Sequence, residues 1–73
     1  MSRYPFDPTA EEVAHAESLL GPYTADTDLF VIGYVEEALD HAAEAEVLAE
    51  REVAVRKARA MFAARRNRMA GTQ

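Results

Sequence analysis

Apolar residues recur at three- and four-residue intervals through most of the chain, interrupted at Gly21-Pro22. That spacing is helical rather than strand-like. In the first segment Val13, Ala16 and Leu20 share one helical face. Thr9 stands where an N-cap belongs, and Glu12 three residues later completes a capping box. Glu11 and Glu12 also suit the positive end of the helix dipole. Gly21 followed by Pro22 is a stop signal. The pattern predicts a helix over about 9–20.

Asp26 or Thr27 is the expected cap of a second helix, with Asp28 in its first turn. Between there and Ala70 no Pro occurs, and Gly33 is the only Gly. Ala, Glu, Arg, Leu and Met, all strong helix formers, dominate. One long helix over about 27–69 is predicted, on the order of 65 Å in length. Residues 29–35 are apolar all round and rich in β-branched side chains, a composition that also suits a strand. The helix formers that follow without a turn favour helix. So apolar a helix needs cover on most sides, and the first helix supplies one.

Tyr34, His41, Leu48, Val55, Phe62 and Met69 recur every seventh residue, and Val31, Ala38 and Ala45 fill the companion seam position. This is an alanine-rich coiled-coil pattern that degrades towards the C-terminus, where Glu52, Arg59 and Arg66 take that position. The fold expected is all-α: a hairpin of a short helix (about 9–20) and a long one (about 27–69), completed by oligomerisation or a partner. Val13, Leu20, Leu29, Ile32 and Leu39 would form its core. Residues 1–8, with Pro5 and Pro8, read as an extended arm whose apolar handles are Tyr4 and Phe6. Residues 9–73 read as a single helical domain with a basic end at 51–73.

Composition sharpens the need for a partner. A 73-residue chain buries only about 60% of its unfolded surface. Fifteen of its 36 hydrophobic residues are Ala, and Leu, Ile, Val and Phe together number 15. With no Cys there is no disulfide and no thiolate metal site. The N-terminus lacks an apolar signal core, and the longest apolar run, 29–35, is too short to span a bilayer. A cytoplasmic location is the expectation, with no membrane partner.

Charge is sorted along the chain. Residues 1–50 hold twelve acids and one base, Arg3, whereas residues 51–73 hold seven bases and one acid, Glu52. Glu36, Asp40 and Glu44 repeat every fourth residue, forming an acidic face whose like charges repel. The basic end carries Arg56, Lys57, Arg59, Arg65, Arg66 and Arg68, cations of the kind that contact nucleic-acid phosphates. The net charge of −5 works against that reading at long range.

Catalytic signatures are missing. Ser2 and Ser18 are the only serines, and neither lies in a nucleophile elbow. No Gly-rich phosphate loop occurs. Glu12 and His15 have a Glu-x-x-His spacing found in dimetal bundles, but the helix wheel turns both away from Val13, and Glu12 is committed to the cap. No enzyme activity, cofactor, metal or small-molecule substrate is expected. No motif is specific enough to link the chain to a known family.

The functional expectation is a non-catalytic oligomerisation or adaptor protein, an assembly component of the kind found in phage. Two copies pairing antiparallel would match acidic first half to basic last third. The interface would comprise Leu29, Phe30, Val31, Tyr34, Ala38, His41, Leu48, Val55 and Phe62. The alternative is a small regulator that contacts DNA or RNA through the six basic residues named above.

Overall fold

The computed structural model describes residues 6–71. It holds three helices: α1 (Ala10–Leu20), α2 (Thr27–Glu44) and α3 (Leu48–Ala70). The two-helix hairpin is therefore corrected to a three-helix bundle. The long helix predicted over 27–69 is broken at residues 45–47. Residues 1–5 of the expected arm lie outside the described residues.

α1 forms as its sequence dictates. The Thr9 hydroxyl accepts from the Glu12 N–H at 3.0 Å, and the Thr9 N–H donates to Glu12 Oε1 at 2.8 Å. Both halves of the capping box are thus present. Gly21 ends the helix at φ 63°, a conformation in which a Cβ would be strained. In the following turn the Thr24 N–H donates to Thr27 Oγ1 at 2.8 Å. Asp26 occupies the N-cap position of α2 without a side-chain cap bond. Thr27, buried in the first turn, uses its hydroxyl to tie the helix back to the turn. Residues 29–35 are helical, which settles the strand alternative.

The break between α2 and α3 has no Gly or Pro to announce it. Ala45 (φ −67°, ψ 129°) and Val47 (φ −105°, ψ 133°) are extended, and the chain reverses across them. Arg51 holds the turn shut. Its Nε donates to the Ala42 carbonyl and its second guanidinium nitrogen to the Ala45 carbonyl, each at 3.3 Å. These carbonyls belong to the C-terminal end of α2, where backbone acceptors lack helical partners. In a continuous helix, residues nine apart would sit about 13 Å apart along the axis, so this cap exists only in the folded-back form.

α3 is the central helix. α1 and α2 each pack along it and barely touch one another. The Cα atoms span 40 × 30 × 13 Å, a slab one helix layer deep with α1 and α2 at its edges. α2 runs antiparallel to α3, whereas α1 runs parallel to it, since Glu12 meets Arg56 and Glu17 meets Asn67 and Arg68. The core is built largely of alanine: Ala16, Ala38, Ala58, Ala60 and Ala64 cluster with Val31, Val35 and Met61. Val13, Leu20 and Tyr34 pack against its rim.

Three residues assigned to the core from sequence are instead on the surface. Leu29, Ile32 and Leu39 are 72%, 54% and 47% exposed. α2 meets α3 through Val31, Val35, Ala38 and Ala42, a face that Ile32 and Leu39 flank and from which Leu29 points away. The seven-residue series is likewise divided by the turn. Tyr34 and His41 lie on α2, and Leu48, Val55, Phe62 and Met69 on the antiparallel α3.

Candidate interaction surface

The basic residues of α3 are the bundle's polar fasteners. Arg56 Nε meets Glu12 Oε2 of α1 at 3.2 Å, and Arg65 Nε meets Asp28 Oδ1 of α2 at 2.6 Å. Arg59 reaches Asp7 at 3.3 Å. Arg68 donates to the Glu17 carbonyl at 3.0 Å, beside Asn67, which donates to the Glu17 carboxylate. Of the six cations put forward for nucleic acid, four therefore engage the protein itself. Lys57 and Arg66 are exposed.

Part of the charge sorting is met within one chain: Arg56 and Arg59 pair with Glu12 of α1 and with Asp7 before it, and Arg65 pairs with Asp28 of α2.

The ion pairs leave a mark on titration. The Glu12 carboxyl is held below its ordinary value of 4.5, chiefly by the Thr9 backbone N–H, with partial burial opposing and Arg56 reinforcing. Asp28 is lowered first by its hydrogen bond from Arg65, and further by the Tyr23 hydroxyl. The fold favours the ionised form of both groups. Their contribution is present above the ordinary carboxylate values and is lost as pH falls through the lowered ones. The melting midpoint should hold at neutral pH and drop once pH falls below about 4. In a Glu12→Gln, Asp28→Asn variant it should start lower and depend less on acid. Circular dichroism melts across that range test this, and an unchanged acid slope in the variant would refute it.

The proposed interface residues divide into two sets. Val31 and Ala38 are buried within the bundle, and Tyr34 and Val55 are half-buried. Leu29, Phe30, His41, Leu48 and Phe62 remain exposed. Phe30 stacks on Tyr34, with ring centroids 6.1 Å apart. Sequence reasoning missed Ile32 and Leu39 as surface residues, and did not single out Val47 (55% exposed) or Val53 (40%). For the first two a signal was present: Glu36 and Asp40 share their side of α2, and a face carrying two carboxylates is rarely a core face.

Lys57 of α3 lines an open hollow with His15 of α1 and Tyr34 of α2, and further hollows beside His41 of α2. Among the described residues no group of three or more His, Asp or Glu side chains gathers as a metal site would need. No helix among them is long and apolar enough to cross a membrane.

The fold and surface together define a small all-helical domain built on an alanine core. Comparison with protein-family models, curated proteins and solved structures finds no match to this chain.

Proposed function

We propose that this protein is a non-catalytic interaction module, an adaptor or assembly component that works by binding other proteins. The exposed apolar side chains carry the reading. Leu29, Leu48, Val47 and Ile32 are all more than half exposed, in a domain with few large apolar residues to spare. Single exposed leucines are ordinary, but here Leu29 and Ile32 lie one turn apart on α2, Val47 and Leu48 adjoin at its far end, and exposed apolar surface of this kind marks association sites. Arg56, Arg59, Arg65 and Arg68 bond within the bundle, which favours this reading over the nucleic-acid alternative. Phosphate contacts would have to compete with those bonds.

Photo-crosslinking in the cells that make the protein tests the proposal. A benzophenone side chain placed at Leu29, Leu48 or Phe62 should give discrete protein adducts at one position or more. The same group at Ala14, an exposed α1 position, should give none. Absence of adducts at all three apolar positions would reject an interaction role.

A further inference from the structure

The outer edge of α2 combines two features that together specify a partner. Leu29, Ile32, Glu36, Leu39 and Ala43 follow one another at intervals of three, four, three and four residues, and all are exposed. That is the spacing of a coiled-coil seam. It lies about 110° around α2 from the side that packs on α3, and its exposure leaves it open to a further helix lying alongside. Gly33 adds to this edge, because a Cβ built there would meet nothing within 4 Å. A neighbouring helix can approach closely at that point.

The second feature is charge. Glu36 stands within the seam and Asp40 beside it, with Glu37 and Glu44 also exposed on the helix. No Lys or Arg occurs anywhere in α2. Asp28 is matched by Arg65, whereas the later acids face solvent. A second copy fits this edge poorly. Antiparallel α2–α2 pairing centred on residue 36 would set Glu36 against Glu36 and Ile32 against Asp40, with no cation on either side. Like charges so juxtaposed disfavour association.

We propose that the outer edge of α2 docks an amphipathic helix of another protein, one with an apolar stripe flanked by Lys or Arg and a basic residue facing Glu36. The assignment rests on the interaction role above and specifies its face and partner chemistry. Leu29, Ile32 and Leu39 supply the apolar contact. Glu36 sets the register, as a single polar seam residue does in coiled coils. The surrounding acids select against acidic helices.

Two synthetic helical peptides test this, matched in a leucine seam of the same spacing. One carries Arg at the central seam position and Lys on the flanks; the other carries Glu at all of those sites. Fluorescence anisotropy with the full chain should show the basic peptide binding at least about ten-fold more tightly at physiological salt. Glu36→Lys with Asp40→Lys should invert the preference. Ile32→Ser with Leu39→Ser should weaken binding of the basic peptide by a similar factor. All four positions are exposed, so melting midpoints should stay near that of the parent, and either double variant serves if the other fails to fold. Equal binding of the two peptides, binding of neither, or indifference to both double variants would overturn the assignment. So would a dimer in light scattering that Leu39→Ser dissolves. Should the peptides fail while crosslinks at Leu48 or Phe62 persist, the interaction role stands and only the α2 assignment falls.

Discussion

Met61→Ala should destabilise the bundle by about 2–5 kcal/mol. Met61 is the one large side chain that is fully buried among the described residues. It lies on α3 in the cluster that joins Val31 and Val35 of α2 to Ala16 of α1. Its neighbours are mostly alanines, whose short side chains cannot swing in to fill the space left behind. The substitution thus loses both the transfer term and most of the cavity term. A domain of this size is stable by only about 5–10 kcal/mol, so a large share of the total is at stake. Urea titration followed by circular dichroism should show a much lower midpoint, with part of the population unfolded before denaturant is added. Met61→Leu, nearly equal in volume, should lose less than about 1.5 kcal/mol. Met69→Ala, at a 42% exposed site, should fall within about 0.5 kcal/mol of the parent. A Met61→Ala protein as stable as the parent would mean that the three helices do not close around this side chain.

The parts of this structure legible in the sequence are those fixed by local chemistry. Thr9, Glu12 and Gly21 bound α1, and each does so through bonds to its own neighbours. The helical state of residues 29–35 followed from what comes after them. The turn at residues 45–47 was not legible, because Ala-Glu-Val between two runs of helix formers contains no breaker. What breaks the helix is tertiary: the alanine face of α3 packs on α2, and Arg51 caps the carbonyls that the break exposes. Propensity is a weak prior that packing of this kind overrides.

The misplacement of Leu29, Ile32 and Leu39 has the same origin. With a continuous second helix, only α1 was available to cover α2, and the largest apolar residues were taken to face it. Once the chain folds back, α3 covers the side bearing Val31, Val35, Ala38 and Ala42, and the larger side chains are left outside. The candidate surface is therefore a consequence of the unread turn. The charge sorting was read as complementarity between two copies; the ion pairs of Arg56, Arg59 and Arg65 meet part of it within one chain, and nothing in a linear sequence marks whether complementary segments meet in one chain or two.

Alanine had been counted as diluting the core, yet seven of the ten buried apolar residues among those described are alanine. Ala64→Leu should consequently destabilise the fold by about 1–3 kcal/mol, although it adds hydrophobic volume and barely changes helix propensity. Ala64 is 0% exposed and Ala60, one turn earlier, is 2% exposed. Side chains this small let packed helices approach towards the near end of the usual separation of about 8–10 Å. Three extra heavy atoms at residue 64 have no void to enter, so they must push a neighbouring helix away from α3. That displacement would strain the ties from Arg65 to Asp28 and from Arg68 to the Glu17 carbonyl. Ala43→Leu makes the same chemical change at an exposed position on α2 and should stay within about 0.5 kcal/mol of the parent. Urea midpoints of the two variants, compared side by side, separate packing from propensity. If Ala64→Leu were the more stable protein, the helices would have slack between them, and close alanine packing would not be what holds this bundle together.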